Sequence, residues 1–389
     1  MKYNLNIREE VFGATLNNIK TGKRDYITNA ELNEILNEGK FYDNSVANEL
    51  DEKIKIKFTP LKRKVSNHFS FADIVFIELT RKCNLRCTHC LNSSGKTMEN
   101  QLNYNEITKL INDLAKCGLQ EVRLTGGEPL LFKEIYEIIK LCKENGLYVS
   151  IGTNGTLITE EVAQKLKEAG LDKAVVSIDG NEENHDKIRG KNNYNLAFKG
   201  LMNLKDVGIK VRINSVIMKS NMEDIIKFSK KVHQLEIPLF IRRFIESGRG
   251  EKLNNNMLTA EDYKIVKEKL AKEIESKEYV NGHYLRNDEG IHPRIELPFE
   301  IKGCKAGQRA IAIMPDGEIH LCGFLAGQGA KSVGNVRNID NWLQFWDKLQ
   351  QKDLLINLRN YLTTYNEIPN IQKTYCLAYI QRYLNKEKK

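Results

Sequence analysis

Three cysteines lie close together in the segment "TRKCNLRCTHCLNSSG", at residues 80–95. Cys83, Cys87 and Cys90 have the spacing CxxxCxxC. Thiolates are soft ligands that suit both zinc and iron–sulfur clusters. A structural zinc site needs four ligands, and His89, between two of the cysteines, is a poor fourth ligand for the same metal. Three cysteines in one short loop are typical of a [4Fe-4S] cluster with one iron left open to a substrate or cofactor.

A second candidate segment is "LTGGEPLL", at residues 124–131. Gly126 and Gly127 allow the backbone to approach a ligand closely, because neither carries a Cβ atom. Glu128 offers a carboxylate to a positively charged amine, and Pro129 stiffens the turn. Glycine turns are common, so this segment is informative mainly because it follows the cysteines by one β–α unit.

From about residue 74 onward, short apolar runs alternate with amphipathic helical patterns, which predicts a parallel sheet covered by helices. The predicted strands span residues 74–79, 121–126, 147–153, 173–179, 210–217 and 238–244. Two of the intervening helices end in Gly146 and Gly170, as helix C-caps often do. The predicted fold class is α/β, with a partial (β/α)6 barrel similar to a TIM barrel. In such barrels the chemistry lies at the carboxyl ends of the strands, where the cysteine loop begins.

Two other cysteines fit the helical patterns. Cys117 continues an apolar stripe on one predicted helix, and Cys142 continues another. A buried free cysteine behaves as a small apolar residue, so we expect both to lie in the core.

The barrel, predicted over residues 71–250, is flanked by three regions. Residues 1–70 predict a small α+β module with a hairpin, "EVFGATLNN" and "RDYIT", followed by the helix "NAELNEILNEG". Residues 251–300 predict a helical bridge. Residues 301–389 predict a compact domain that begins with a hairpin around "PDG", which is strong turn chemistry, and ends in helices.

The composition is ordinary for a well-packed globular protein, with 41% hydrophobic residues and a net charge of +9 over 389 residues. The longest apolar runs, of about six residues, are far too short to cross a membrane, so we expect no membrane contact. No apolar signal follows Met1, and a cytoplasmic location is expected. The basic run "KIKIKFTPLKRK" contains a single aromatic residue. Nucleic-acid binding is therefore not favoured, and a linker or a strand that attracts an acidic peptide fits better.

The motif "CNLRCTHC" followed by "GGEP" on the next strand resembles the radical S-adenosylmethionine (SAM) enzymes, over roughly residues 74–322. The resemblance implies that Cys83, Cys87 and Cys90 hold a [4Fe-4S] cluster whose fourth iron is chelated by SAM. Reduction of that cluster would cleave SAM to a 5′-deoxyadenosyl radical that abstracts hydrogen from the substrate. An external one-electron reductant such as flavodoxin or ferredoxin is also implied.

The same resemblance assigns residues to SAM by position. His89 lies near the adenine, and Glu128 would meet the amino group. Arg189 would meet the carboxylate through charge-assisted hydrogen bonds. A helix cap for Thr153 and a surface ion pair for Arg189 are the structural alternatives. The implied SAM-binding residues are His89, Gly126, Gly127, Glu128, Pro129, Thr153, Asn154, Ser177, Asp179 and Arg189.

The segment "CKAGQRAIAIMPDGEIHLCGF" resembles the opening of SPASM and twitch domains, in which an early cysteine precedes a hairpin and a G-x4-C element. Gly317 and Cys322 satisfy that spacing. The resemblance implies one auxiliary [4Fe-4S] cluster on Cys304, Cys322 and Cys376, although full SPASM domains contain many more late cysteines. Cys376 could equally pack against its aromatic neighbours in "KTYCLAYIQRYL".

SPASM and twitch members mostly modify peptides, so the resemblance implies a maturase of a ribosomally synthesised peptide that forms crosslinks or similar C–H modifications. The N-terminal module faintly resembles precursor-recognition domains, which bind a leader peptide at a sheet edge. A cap on the barrel is the alternative for that module. The other interpretations of the chain are a radical SAM enzyme acting on a small-molecule metabolite, a sulfatase-maturing enzyme and a non-catalytic metal-binding regulator. No catalytic acid or base is singled out, although Arg242, Arg243 and Glu246 lie where substrate-facing residues could be.

Overall fold

The computed structural model describes residues 3–38, 54–63, 65, 68–274, 305–352 and 355. The strands in these residues form two sheets, one of four strands and one of nine. Most of the predicted bridge and much of the predicted C-terminal domain lie outside the described residues. Cys304 and Cys376 lie outside them as well.

The four-stranded sheet belongs to the N-terminal module. It contains β1 (Leu5–Glu10), β2 (Gly13–Asn18), β3 (Arg24–Thr28) and β4 (Ile56–Thr59), and helix α1 (Asn29–Glu38) follows β3. The strand order is β3-β2-β1-β4, with β4 parallel to β1. The predicted hairpin corresponds to β2 and β3. The sequence does not predict β1, because "LNIREE" mixes charged and apolar residues without a long apolar run.

One face of the N-terminal sheet is apolar and packs against α1. Because side chains alternate between the faces of a strand, β1 places Leu5 and Ile7 on this face and Asn6, Arg8 and Glu10 on the other. The apolar cluster consists of Leu5, Ile7, Ala14, Leu16, Ile27, Leu32 and Ile35.

The nine-stranded sheet contains the barrel. Its first six strands along the chain are β5 (Ile74–Glu78), β6 (Glu121–Thr125), β7 (Tyr148–Thr153), β8 (Lys173–Ser177), β9 (Lys210–Ile217) and β10 (Leu239–Arg243). Each pairs in parallel with the next, from β5 to β10. These strands coincide with the six predicted ones, and the predicted partial (β/α)6 barrel is confirmed.

Helices connect all neighbouring barrel strands and cover the sheet. They are α2 (Tyr104–Lys116), α3 (Ile135–Glu144), α4 (Glu160–Ala169), α5 (Glu182–Arg189), α6 (Asn193–Asp206) and α7 (Met222–Gln234), and α8 (Ala260–Glu273) follows β10. Gly170 caps α4 with a φ of 92°, and Gly146 follows α3 with a φ of 66°, as predicted. No helix in the described ranges is both long and apolar enough to cross a lipid bilayer.

Cys117 and Cys142 both pack with the main core, as the helical patterns predict. Cys142 is fully buried in α3, and burial raises the pKa of its thiol to about 12. Burial also raises the pKa of the Cys117 thiol to about 11. Both thiols therefore stay protonated at neutral pH and act as small apolar residues of the core.

Residues 305–352 extend the barrel sheet beyond β5. The strand β11 (Ala310–Ile313) pairs in parallel with β5, so that seven parallel strands run in the order β10-β9-β8-β7-β6-β5-β11. Two antiparallel strands follow, β12 (Glu318–His320) and β13 (Gly334–Asn335). The predicted hairpin is β11–β12, but the sequence does not predict its union with the barrel. Helices α9 (Gly323–Gly327) and α10 (Trp342–Gln350) complete this region.

The polar face of the N-terminal sheet lies against the amino ends of the barrel strands. Arg8 donates from Nη2 to Oδ1 of Asp73, just before β5, at 2.7 Å. Arg309, just before β11, donates from Nε to the other oxygen of Asp73 at 2.6 Å. Arg24 on β3 pairs with Glu121 at the start of β6. All five side chains are buried, so the module is fixed to the barrel end opposite the cysteine loop.

Candidate active site

A cavity of about 510 Å³ lies inside the curved sheet and at the carboxyl ends of its parallel strands. Cofactor and small-molecule sites commonly occupy about 300–1,000 Å³. The structure brings most of the predicted site residues together around this cavity. Those that line it are Cys83, Cys87, His89, Cys90, Gly126, Gly127, Thr153, Asn154, Ser177, Arg189 and Cys322.

The two glycines after β6 support the cysteine loop from behind. The Gly127 N–H donates to the Thr80 carbonyl at 2.6 Å, and the Glu128 N–H donates to the Lys82 carbonyl at 2.9 Å. A Cβ atom on Gly126 would lie 2.5 Å from the Thr80 oxygen, and one on Gly127 would lie 2.3 Å from the Lys82 oxygen. Glycine is required at both positions because the backbone of the cysteine loop occupies the space of a side chain.

Each of the three cysteine sulfurs has a hydrogen-bond donor. The Leu85 N–H donates to Sγ of Cys83, and the Ser94 N–H donates to Sγ of Cys90, both at 3.4 Å. A guanidinium nitrogen of Arg189 lies 3.8 Å from Sγ of Cys87. Such donors stabilise thiolates, which are the form that binds metal.

The three thiols fit a [4Fe-4S] cluster. They are soft donors on one loop that face one cavity, and burial raises the pKa of the Cys83 and Cys87 thiols, so metal binding would have to displace their protons. In the described ranges, no three His, Cys, Asp or Glu side chains are close enough together to hold one metal ion. A cubane cluster does not require this, because each thiolate binds a different iron.

Glu128 lies behind the cavity wall and not in it. Its carboxylate accepts a 2.8 Å hydrogen bond from the Thr153 hydroxyl and another of 2.8 Å from the Asn154 N–H. The side chain is completely buried, and burial raises its pKa to about 7. Glu128 therefore joins the end of β6 to the end of β7. Pro129 is also buried and begins a short 3₁₀ helix, Pro129–Leu131.

The end of β7 is joined to the cysteine loop through asparagine side chains. Asn154 donates from Nδ2 to Oδ1 of Asn84 at 2.9 Å, and Asn84 donates to the Thr156 hydroxyl at 2.8 Å. Asn84 lies directly after Cys83. Ser177, at the end of β8, lines the same cavity. Asn154 is therefore held against the cysteine loop, and Thr153 and Ser177, which the resemblance also assigns to SAM, lie at the ends of neighbouring strands.

His89, Asp179 and Arg189 form one hydrogen-bonded group. Oδ2 of Asp179 lies 2.9 Å from Nε2 of His89 and accepts from Nε of Arg189 at 2.7 Å. Its Oδ1 accepts from the Val216 N–H. Burial alone would raise the pKa of the Asp179 carboxyl, but Arg189 and His89 outweigh it and hold the pKa well below its usual range. Asp179 is fully buried and positions His89 and Arg189, both of which line the cavity.

Sequence reasoning missed Arg249, which also holds the cysteine loop. Its guanidinium donates to the Cys87 carbonyl and to the Ser94 carbonyl, both at 2.8 Å. The preceding Gly248 has a φ of 55°, and a Cβ atom there would lie 2.4 Å from the Leu91 oxygen. The available signal was the Gly-Arg-Gly sequence after the last barrel strand, which is typical of a close backbone approach.

Cys322 lines the cavity at the N-terminus of α9, where its sulfur accepts from the Leu325 N–H at 3.5 Å. It lies on the far side of β5 from the SAM-binding strands. The other two predicted ligands of the auxiliary cluster, Cys304 and Cys376, are outside the described residues. The auxiliary cluster and the twitch-like domain stay predictions.

The sequence is similar to one known family and to several characterised proteins. Residues 77–232 match the family described as the Radical SAM superfamily. The Fe-coproporphyrin III synthase of Methanosarcina barkeri is 32% identical over 309 residues, which cover 74% of this chain and 76% of that protein. The chain belongs to the radical SAM superfamily. The mycofactocin maturase MftC of Mycolicibacterium smegmatis is another relative, 29% identical over 289 residues, covering 72% of this chain and 71% of that protein.

A solved structure shows a similar fold over nearly the whole chain. Streptococcus suis SuiB bound to its precursor peptide SuiA matches with a TM-score of 0.67 and 18% identity. The match covers 91% of this chain and 88% of SuiB. At this level of identity the comparison shows a shared fold.

Membership of the family confirms the resemblance read from the motifs. As a radical SAM enzyme, the protein uses a [4Fe-4S] cluster and SAM, and the metal-binding regulator interpretation is wrong. When bound, the cluster and SAM together supply an organic radical that abstracts hydrogen. The chain itself contributes three thiols that each have a hydrogen-bond donor and a cysteine loop that packs against two glycines. It also contributes His89 and Arg189, which are both positioned by Asp179.

Proposed function

We propose that this radical SAM enzyme is a maturase of a ribosomally synthesised peptide, modifying it at an unreactive C–H position. The observation that carries the proposal is the fold shared with peptide-bound SuiB, which covers more of the chain than the sequence relatives do. The similarity to mycofactocin maturase supports it as well. An external one-electron donor such as flavodoxin or ferredoxin and a cytoplasmic location complete the proposal.

The N-terminal sheet supplies a docking edge for the leader part of the peptide in this proposal. Of its two edge strands, β3 is buried along residues 24–27, whereas β4 is half-buried to exposed throughout. Phe58 on β4 remains 37% exposed. Strand addition needs accessible backbone groups and pockets for alternate side chains, so β4 is the edge that fits. The lysine-rich sequence around β4 would attract an acidic peptide.

A small-molecule substrate is the second candidate function. It is favoured by the Methanosarcina barkeri relative, which is named Fe-coproporphyrin III synthase and has the higher identity of the two relatives above. In this case the N-terminal sheet would be only a cap on the barrel, consistent with its buried ion pairs to Asp73 and Glu121. The sulfatase-maturing interpretation still requires late cysteines that the sequence lacks.

The proposal can be tested with anaerobically reconstituted, reduced enzyme and SAM. The candidate substrates are short peptides encoded beside the gene and, in parallel, iron tetrapyrroles. We expect 5′-deoxyadenosine together with a mass change in one peptide, detected by mass spectrometry. The variant Cys87→Ala, which removes a cluster ligand, is compared with the control Cys117→Ala, which removes a thiol of the core.

The result that would contradict the proposal is conversion of a tetrapyrrole with 5′-deoxyadenosine formed in step, while every candidate peptide keeps its mass. The docking edge is tested separately by Phe58→Asp and, as its control, Leu196→Asp, which replaces an exposed apolar residue on α6. We expect the first to weaken peptide binding and the second to leave it unchanged. Equal affinity in both variants would exclude β4 as the docking edge.

A further inference from the structure

The cysteine loop has an inner side and an outer side. On the inner side, its three cysteines line the cavity together with most of the residues assigned to SAM. The outer side carries Lys82, Arg86 and Lys96, which are all exposed and do not line the cavity. A cluster on the three thiols would therefore lie between the cavity and these cations.

The three cations converge on Gly95. The backbone of Lys82 pairs with that of Gly95 in an isolated β-bridge, and Lys96 follows Gly95 directly. The Arg86 guanidinium packs over the same glycine, where a Cβ atom on Gly95 would lie 2.5 Å from the guanidinium carbon. We name Lys82, Arg86 and Lys96 together the Gly95 patch.

The Gly95 patch is next to a cluster ligand. Arg86 donates from Nη1 to the Cys83 carbonyl at 2.9 Å and to the Leu85 carbonyl at 3.1 Å. Lys82 directly precedes Cys83, which is itself only half-buried. The patch therefore covers the protein surface outside Cys83, on the side of the loop that faces away from the cavity.

The charge of the Gly95 patch is not neutralised by the part of the chain that the structure describes. Within that part, neither Lys82 nor Lys96 has an ion-pair partner, and Arg86 donates to carbonyl groups and not to a carboxylate. Glu99 is the one acidic residue of the sequence between residues 80 and 100. A local excess of exposed cations attracts anionic partners and can raise their association rates by about 10–1,000-fold.

The surroundings of the patch indicate which anionic partner it fits. Nucleic acid is not favoured, because residues 80–100 contain no aromatic side chain on which a base could stack. The leader peptide of the proposed function would dock on the N-terminal module, which is fixed to the opposite end of the barrel. The cluster, in contrast, must receive an electron, and a carrier that approaches the outer side of the loop does not compete with SAM or substrate in the cavity.

We infer that the Gly95 patch is the docking surface for an acidic one-electron carrier protein. The inference rests on the external electron donor of the proposed function and gives its place on the molecule. One electron passes from the reduced carrier to the oxidised cluster, and no bond is formed or broken. Lys82 and Lys96 attract and bind the carrier, whereas Arg86 binds it and also holds the cysteine loop.

The inference is tested with an acidic flavodoxin as the carrier and with the reconstituted holoenzyme. The variant K82Q/K96Q removes two charges and leaves Arg86 in place, and the control K109Q/K116Q removes the same charge from exposed positions on α2. In isothermal titration at low salt, we expect K82Q/K96Q to bind flavodoxin at least about tenfold more weakly than the native enzyme and the control. Added salt should weaken binding to the native enzyme more than to K82Q/K96Q, because salt screens exposed charges.

A second measurement separates docking from damage to the cluster. The formation of 5′-deoxyadenosine from SAM is followed with reduced flavodoxin as the donor and, separately, with reduced methyl viologen, which is a small cation. We expect K82Q/K96Q to be slower than the native enzyme with flavodoxin and equal to it with methyl viologen. Its iron content should be unchanged.

Equal affinity of flavodoxin for the native enzyme and K82Q/K96Q would overturn the inference, as would the same loss of affinity in K109Q/K116Q. A slower reaction of K82Q/K96Q with methyl viologen would overturn it too, because the variant would then act on the cluster and not on docking. So would a native enzyme with no measurable affinity for flavodoxin. No peptide is needed in these measurements. If they give the expected results while no peptide is modified, the proposed function fails and the docking surface stands.

Discussion

The two ends of the barrel use charged groups in different ways. At the amino end, Arg8 and Arg309 are buried and both pair with Asp73, and Arg24 is buried and pairs with Glu121. At the carboxyl end, the cations Arg189 and Arg249 are directed at the cysteine loop, and Arg242 and Arg243 line the cavity. The first set joins the N-terminal sheet, β5 and β11 into one body. The second set is arranged around space for a cofactor and a substrate.

This difference separates stability from chemistry. Removing one partner of a buried ion pair leaves the other charge buried and unpaired, which should destabilise the whole fold. Removing a side chain from the cavity wall should affect cofactor or substrate more than the fold. Variants at the two ends should therefore separate loss of folding from loss of activity.

The largest effect is expected for Cys87→Ala at the carboxyl end. The variant should lose cluster iron, and 5′-deoxyadenosine formation should fall by more than the ~10–100-fold that outer-shell changes cost a metal site. Iron and sulfide analysis and chromatography of the SAM products measure both effects. Cys117→Ala, which changes a thiol in the core and not in the loop, should keep its iron. Retention of full activity by Cys87→Ala would contradict the assignment of Cys87 as a cluster ligand.

The next effect is expected for Asp73→Asn at the amino end. Arg8 and Arg309 would lose their shared carboxylate, which should lower the free energy of unfolding by about 3–5 kcal/mol. Anaerobic urea unfolding measures this, with Asp113→Asn on an exposed face of α2 as the control expected to change little. An Asp73 variant as stable as the native protein would show that the buried pairs are not what fixes the module.

The pKa of the Asp73 carboxyl predicts how the stability of the protein depends on pH. Burial would raise the pKa of Asp73, but Arg309 and Arg8 outweigh it and lower the pKa to about 2. A carboxyl with a lowered pKa stabilises the fold above the pKa of the unfolded chain, near 3.9, and this contribution is lost as the pH falls towards 2. The unfolding midpoint of Asp73→Asn should therefore approach that of the native protein in acid.

A smaller effect is expected for Gly127→Ala. Its Cβ atom would overlap the Lys82 carbonyl and displace the cysteine loop, at a cost of about 1–3 kcal/mol. Thermal unfolding and iron content measure the change. Gly152→Ala is the control, because its Cβ atom would lie 3.5 Å from Thr125, at an ordinary contact distance. If both variants retain the same stability and iron content, the glycine support of the loop is unimportant.

The smallest effect is expected for Glu128→Gln. Because burial raises the pKa of Glu128 to about 7, the group favours folding at low pH and loses this contribution as the pH rises from about 4.5 through 7. The stability of the native protein relative to the variant should fall by about 1–2 kcal/mol between pH 5 and pH 8. Unfolding midpoints at the two pH values measure it, with the exposed Glu161→Gln as control. If the difference in stability between the native protein and Glu128→Gln were the same at both pH values, the raised pKa of Glu128 would be contradicted.

The sequence predicts the parts of this molecule that local patterns determine. The strands β5–β10 are recognisable from short apolar runs separated by helical patterns, and Cys83, Cys87 and Cys90 from their spacing. Pairing of β11 with β5 is not predictable, because the two strands are far apart in the chain and each looks like an ordinary strand. The motifs assign the carboxylates of Glu128 and Asp179 to SAM, and this assignment stays a prediction. What the sequence does not show is that both side chains are fully buried and hydrogen-bonded to residues of neighbouring elements. A motif gives the position of a side chain along a strand, but its final direction depends on packing with other strands.

The central claim is that the three thiols hold a cluster whose open iron binds SAM in this cavity. The most direct measurement is electron paramagnetic resonance of the reduced, anaerobically reconstituted protein before and after SAM is added. We predict a [4Fe-4S] signal that changes shape on addition of SAM, and loss of that change in a variant lacking Cys83, Cys87 and Cys90. A native protein with no cluster signal, or with a signal that SAM leaves unaltered, would contradict the claim.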